Sequence, residues 1–334
     1  METTRRETIG MIGGVLASAT AVINAAKAAP SSDPKSAKMK FWAAATTPCD
    51  KNLKLDLGAM RDQVEWYKSH GADGMTFLGS TGQFTAFTMA EHKAVAETVG
   101  KAKGNLNVLA TTSTANVQDT IELCKHAADH GADGVIVSPP YYVKGISNEG
   151  MLRYYTMVLD GLPKNLPFYL YHVPRWSMAP VPVEVVKQLR RYGNIAGIKD
   201  STTDAKGYTN FVTNFPDLSV ITGTYENLEI ALTHGMGGII QEAGPYCRDL
   251  ADLFAVAHSG KDLHPAYAAL QAKIAKLYGA RDGLDQYAIM QYAMTAEMGK
   301  AVSYMRPPFV DLSDARKAEI EKTLREQQVK LGRL

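Results

Sequence analysis

Short apolar runs recur along the chain at residues 41–45, 75–78, 108–110, 135–137, 168–171, 195–198, 220–221 and 238–240. Stretches of helical length separate them, among them 90–99, 117–128 and 182–191. His70-Gly-Ala-Asp-Gly74 and His130-Gly-Ala-Asp-Gly134 each introduce one of these runs and stand 60 residues apart. A βα unit needs about 30 residues, so the two copies lie two units apart. Eight strands alternating with helices over about 220 residues predict an α/β chain folded as a (β/α)8 TIM barrel. A doubly wound sheet is the alternative. It usually carries a Gly-rich phosphate loop after its first strand, whereas Thr46-Thr47-Pro48 follows here and Gly235-Met-Gly-Gly238 comes too late.

Beyond Tyr246 the pattern turns helical, with segments at 263–277, 284–298 and 313–331. Met290, Met294 and Met298 recur every fourth residue there, which suits core packing rather than thioether chemistry. The predicted division is a barrel over 39–262 and a C-terminal helical domain over 263–334. At the other end, residues 1–28 read as a twin-arginine-like export signal. Arg5 and Arg6 open it, 9–26 carry no charge, and Ala26-Lys27-Ala28 supplies a small-x-small site before a cut at Ala29. The segment is too weakly apolar for a bilayer span. Residues 29–38 form a polar linker. The expected location is periplasmic or exported, and cytoplasmic if the segment is not a signal.

Composition narrows the field further. With 46% hydrophobic and 21% charged residues, the 334-residue chain is globular rather than disordered. Lys and Arg number 36 against 34 Asp and Glu, and removal of 1–28 leaves 33 against 32. Such a balance predicts no nucleic-acid partner. Three cysteines cannot build a disulfide framework.

In a barrel of this kind, chemistry sits at the C-terminal ends of the strands. Those ends read Thr46-Thr47, Ser80-Thr81, 111–114, Tyr141-Tyr142, Tyr171, Lys199, 222–224 and Gln241-Glu242. Hydroxyls and phenols dominate, with one lysine. No His/Asp/Glu cluster at metal spacing, HExxH or CxxC is apparent, so no metal is expected. His92 falls in a predicted helix and reads as a surface or capping histidine. Cys49, Cys124 and Cys247 are scattered and give a thiol nucleophile little support.

Lys199 leaves a buried strand among tyrosines, where lost hydration favours the neutral amine. A neutral amine condenses with a ketone to an imine, an electron sink for making or breaking the adjacent C–C bond without an organic cofactor. An ion pair with Asp200 is the competing reading, and spacing alone does not separate the two. Tyr171 closes the preceding strand, where a phenol can shuttle the protons of imine formation; a core tyrosine is its alternative. Gly79-Ser-Thr-Gly82 offers hydroxyls and backbone N–H groups suited to a carboxylate, or simple turn chemistry.

Gly79-Ser80-Thr81-Gly82-Gln83, Pro139-Pro140-Tyr141-Tyr142, Tyr171-His-Val-Pro174 and Gly197-Ile-Lys199-Asp200 stand in order at the ends of strands 2, 4, 5 and 6. With Arg306-Pro-Pro308 near the C-terminus, they resemble the dihydrodipicolinate synthase / N-acetylneuraminate lyase family of class I aldolases. The resemblance runs from about Met39 to the C-terminus. It implies a barrel with a C-terminal helical domain and a tetramer built as a dimer of dimers. It implies Lys199 as the Schiff-base lysine, Tyr171 as the proton-transferring phenol, and Ser80 and Thr81 as carboxylate binders and relay hydroxyls. Tyr142 is similar to a second tyrosine that enters the neighbouring subunit's site, and Glu226 to a sugar-contacting acid. Gly82, Gly223 and Ile240 fall among the implied substrate-binding positions. No cofactor is implied beyond the covalent imine, and the partner is a small 2-oxo acid, pyruvate or a relative.

Two departures bear on the substrate. Gln83 stands where the family loop often has Glu. Trp176 stands where the synthases place an arginine, with Arg175 one residue earlier. A synthase acting on aspartate semialdehyde must grip a second carboxylate, and an indole offers one N–H and no charge. Extended backbone would point Arg175 to the opposite side. The expectation is therefore a pyruvate-dependent lyase acting on a keto-acid sugar or another aldehyde. The alternative is 4-hydroxy-tetrahydrodipicolinate synthase, with Arg175 compensating. A third reading is an exported, non-catalytic oxo-acid-binding protein, although binding alone needs neither an imine nor a proton shuttle.

Overall fold

The computed structural model describes residues 39–242, 244–279, 285–300 and 303–332. The expected export signal and the linker, residues 1–38, lie outside the described residues. Eight parallel strands, β1 Lys40–Ala44, β2 Gly74–Phe77, β3 Asn107–Thr111, β4 Gly134–Val137, β5 Phe168–His172, β6 Ile195–Asp200, β7 Ser219–Thr222 and β8 Gly238–Gln241, close into a barrel in sequence order. Between them run α1 Leu57–Ser69, α2 Met89–Ala102, α3 Val117–Asp129, α4 Asn148–Asp160, α5 Pro174–Ser177, α6 Val183–Leu189, α7 Ala205–Asn214 and α8 Leu228–Thr233. Then come α9 Cys247–His258, α10 His264–Tyr278, α11 Asp285–Met298 and α12 Asp314–Glu326.

Local chemistry sets these elements. Thr88 and Glu91 form a reciprocal capping box at the start of α2, and Asn116, Ser147 and Ser313 cap α3, α4 and α12 through their side chains. The repeated His-Gly-Ala-Asp-Gly motif is a helix stop joined to a strand tie. Gly71 and Gly131 take left-handed φ values of 87° and 91° just after α1 and α3. Asp73 and Asp133 then accept the backbone N–H groups of Phe41 and Val108, at 2.8 and 2.7 Å, in the preceding strands.

Two apolar layers result. Leu170 and Ile198 face outward under the helices, while Trp42, Leu109, Ile136, Tyr171, Ile221 and Ile240 fill the barrel interior. At Gly197 a Cβ would stand 2.8 Å from the Tyr169 ring and 2.2 Å from Ser219 O, so only glycine lets that ring lie across the interior. Of the three methionines, Met290 and Met294 are buried and Met298 packs against the core. Tyr67 Oη donates to Met294 Sδ at 3.2 Å, tying α11 to α1.

Some boundaries differ from the sequence expectation. α12 ends at Glu326 rather than 331, because Gln328 turns left-handed with φ 62°. α6 begins after Pro182, which has no N–H to give the helix. β6 runs on to Asp200, since β5 and β7 both pair with it that far; Lys199 lies inside the strand, not beyond it. His92 is buried, its Nε2 2.9 Å from Phe84 O, and is neither a surface nor a capping residue.

Candidate active site

β5 and β6 set Tyr171 directly opposite Lys199 in the parallel register. Side chains alternate across a sheet, so Tyr169, Tyr171 and Lys199 face the barrel axis while Leu170 and Ile198 face the helices. Lys199 is 5% exposed, and its Nζ lies 4.3 Å from the centre of the Tyr171 ring. Asp200 points to the other side, where it accepts the Thr202 N–H at 2.9 Å, and burial raises its carboxyl to about 6. The pleat therefore separates the two neighbours, and the Lys199–Asp200 ion pair does not form among the described residues.

Burial acts to raise the Tyr171 phenol. The Lys199 charge and hydrogen bonds from Ser201, Ser80 and Lys199 act against it and prevail, so the phenol falls below its ordinary value of 10.0. Ser201 Oγ lies 3.4 Å from Tyr171 Oη.

Tyr171 lines a cavity of ≈160 Å³, while Lys199, whose Nζ faces the Tyr171 ring, is not itself among the lining residues. Ser80, Thr111, Ser113, Ser138 and Ser177 give it hydroxyls, and Phe84, Tyr141, Trp176, Tyr287 and Phe309 give it rings. No charged residue is among its lining residues.

The turn carrying Ser80 and Thr81 is tightly held. Thr47 Oγ1 donates to Gly82 O at 2.7 Å, and a Cβ on Gly82 would stand 2.9 Å from that oxygen. Leu78 and Gln83, on either side, adopt left-handed φ values of 52° and 51°, a cost that functional loops often carry. Gln83 is buried, with Nε2 near Gln291 Oε1 and Met305 Sδ; its Oε1 finds no partner among the described residues.

The other expected positions are placed unevenly. Trp176 lines the cavity, 6.3 Å from the Tyr287 ring. The segment 174–177 is the short helix α5 rather than extended backbone, and Arg175 is not among the lining residues; its exposed guanidinium lies over the Trp176 ring at 5.3 Å. Ile240 belongs to the interior cluster beneath the cavity. Gly223 is buried beside Ser201, where a Cβ would stand 1.9 Å from Ser201 Oγ. Half-buried Thr81, buried Gly82 and exposed Glu226 are not lining residues. Tyr142 is 90% exposed with φ 81° and leaves this chain's cavity to Tyr141, whose ring meets Phe84 edge-on at 5.7 Å.

Sequence reasoning missed Tyr287 and Phe309, which reach the mouth from the C-terminal region, and Ser201, for which the strand-end position was a usable signal. The Tyr287 phenol is raised chiefly by burial. Outside the cavity, and contrary to expectation, one group of potential metal donors does converge among the described residues: Glu97, His126 and His130, within 4.8 Å.

Comparison with known proteins adds a family. The dihydrodipicolinate synthetase family model matches residues 38–327. An uncharacterized DapA-like lyase of Thermococcus onnurineus is 28% identical over 84% of this chain and 96% of that relative. A 4-hydroxy-tetrahydrodipicolinate synthase of Bradyrhizobium diazoefficiens is 29% identical over 86% and 97%. Among solved structures, YagE, a prophage protein of the dihydrodipicolinic acid synthase family from E. coli K12 in complex with pyruvate, superposes with a TM-score of 0.80. It is 26% identical, over 87% of this chain and 99% of that one.

Proposed function

The chain belongs to the dihydrodipicolinate synthetase family and is a lyase of the class I aldolase type, and from that premise we propose that Lys199 holds pyruvate, or a related 2-oxo acid, as an imine. The observation that carries this reading is the pairing of buried Lys199 with Tyr171 across β5 and β6, Tyr171 itself lining the cavity.

The steps follow from the groups present. Tyr171, its phenol lowered by the Lys199 charge, takes a proton from the Lys199 ammonium; the freed Nζ adds to the ketone carbon, and the resulting carbinolamine loses water to leave a protonated imine. Tyr171, in contact with the hydroxyls of Ser80 and Ser201, moves the protons at Nζ and at the departing oxygen. The imine keeps a positive charge beside Tyr171, so the field that lowers its phenol survives the step. Loss of a C3 proton gives an enamine, whose C3 attacks an aldehyde carbon; the reverse sequence cleaves the same C–C bond. The turn at Ser80 and Thr81 is suited to the substrate carboxylate. A dry cavity of about 150 Å³ accommodates benzene, six heavy atoms, the size of pyruvate.

The partner aldehyde must lie toward the mouth, among Phe84, Trp176, Tyr287 and Phe309. Uncharged, ring-lined space favours an aldehyde with an apolar or aromatic flank over a polyhydroxylated sugar acid. Exposed Glu226, outside the lining, lends the sugar-acid reading little support. The second reading is 4-hydroxy-tetrahydrodipicolinate synthase. It is favoured by Arg175 at the Trp176 ring and by relatives bearing that name. Coupled assays separate them. Condensation of pyruvate with aryl or alkyl aldehydes is expected at a kcat/KM at least about tenfold above that with aspartate semialdehyde, the scale of a modest pocket preference. Efficient use of aspartate semialdehyde, lost on Arg175→Ala, would establish the second reading instead.

We infer in addition that the protein is exported and assembles as a homotetramer. The support is Arg5-Arg6 with the uncharged segment behind it, and Tyr142 standing away from its own cavity.

A further inference from the structure

The two His-Gly-Ala-Asp-Gly motifs share a local geometry and differ in one neighbour. In each, the histidine closes a helix and its Nδ1 lies 2.8 Å from the carbonyl four residues back, Trp66 O for His70 and His126 O for His130. In each, its ring also stacks on the side chain four residues back. In the first copy that side chain is an indole. In the second it is another imidazole, and Glu97 of α2 comes up beside it. We propose that Glu97, His126 and His130 form a binding site for a divalent transition-metal ion of the zinc class, on the helical layer of the barrel.

Four observations carry this. A carbonyl partner requires Nδ1 of the His130 ring to hold the proton, so Nε2 keeps its lone pair, the arrangement found where a histidine ligates a metal. His126 Nε2 is buried and makes no hydrogen bond among the described residues. Its distance to Glu97 Oε1 is 3.3 Å, and two ligands about 2.0–2.1 Å from one tetrahedral ion stand roughly 3.3 Å apart. All three donors lie within 4.8 Å of one another; the two imidazoles are stacked, so closing the set requires the half-buried His130 ring to tilt off His126 while its Nδ1 stays on the His126 carbonyl. The ion would also sit at the C-terminal, carbonyl end of α3, which favours a cation. Lys101 Nζ competes for Glu97 at 3.8 Å, but that lysine is 79% exposed and can withdraw into water.

Two imidazoles and a carboxylate suit zinc, with water completing the shell on the open side. Both histidines stand in the last turn of α3 or at its cap, and the chain then enters β4 at its N-terminal end. The site therefore lies away from the mouth where Lys199 and Tyr171 open, and its role is to pin α2 to α3 rather than to take part in the lyase chemistry.

Chelator-stripped, full-length protein titrated with Co²⁺ should develop the visible absorption of a four-coordinate ion at one equivalent, and Zn²⁺ should displace it. Outer partners of metal ligands alone govern about 10–100-fold in affinity. His130→Gln and Glu97→Gln should each therefore weaken Zn²⁺ by at least about tenfold, with the far-UV spectrum unchanged. Absence of uptake by the unsubstituted chain would leave Glu97 and His126 as an ion pair only and overturn the proposal. So would the same spectrum and stoichiometry in the His126→Gln/His130→Gln double variant.

Discussion

At Tyr171 two opposing effects of known sign meet. Burial disfavours the phenolate, and the ammonium 4.3 Å from its ring favours it; the second prevails, with help from Ser80 and Ser201. A phenol lowered in this way exchanges protons more readily near neutral pH. Tyr171→Phe keeps the ring and Lys199 and removes the phenolic hydroxyl, with its proton and its hydrogen bonds to Ser80 and Ser201. Steady-state assays should show kcat reduced by about 10²–10⁴-fold, with imine formation retained; near-unchanged kcat would assign the shuttle to another group. Lys199, Tyr171 and Ser80 were legible in the sequence because strand ends have fixed positions in a barrel. Tyr287 and Phe309 were not, since no periodicity within 284–298 tells which side of a helix buried nearly all round meets the barrel mouth. The conformation at Arg175 was not legible either: a short helix, α5, stands where the sequence offered extended backbone or an irregular loop.

Among the elements, a charged fork at Arg306 helps fasten the C-terminal region to the barrel, alongside the Tyr67–Met294 contact. Arg306 donates to Glu91 from both terminal nitrogens, at 2.9 and 2.6 Å, and to Leu53 O and Ala86 O at 2.9 and 3.0 Å. Its guanidinium lies 4.2 Å from the centre of the Phe87 ring. The hydrogen bond from Arg306 is the largest influence on Glu91 and brings its carboxyl down to about 2. A carboxyl lowered in the folded state contributes stability that is full above its ordinary value of 4.5 and is lost as pH falls toward 2. The pair is partly exposed, so Arg306→Ala should cost about 1–3 kcal/mol near neutral pH, between surface and buried pairs. In urea unfolding, the gap between Arg306→Ala and the unsubstituted protein should narrow between pH 4.5 and 3; an equal gap at both would mean the charge pair contributes nothing. The repeat of His-Gly-Ala-Asp-Gly let the units be counted from sequence. Its physical reason, a left-handed helix stop followed by an aspartate tying down the preceding strand, depends on pairing between distant segments and emerged only with the fold.

For the whole molecule, sequence periodicity sufficed to count eight strands, because each buried run is short and each helix is punctuated by a cap or a glycine. The near-zero charge and the amino-terminal segment concern its location instead. Intact mass of protein recovered from the periplasm should correspond to a chain beginning at Ala29, and a full-length cytoplasmic product would contradict export. The proposed activity requires one covalent bond, between Lys199 Nζ and the carbonyl carbon of a 2-oxo acid. Borohydride reduction in the presence of pyruvate, followed by peptide mapping, tests it directly. One reduced pyruvate per chain is expected, on Lys199, and none in Lys199→Ala. A chain that gains no adduct with any of a panel of 2-oxo acids, or gains it on another lysine, would contradict it.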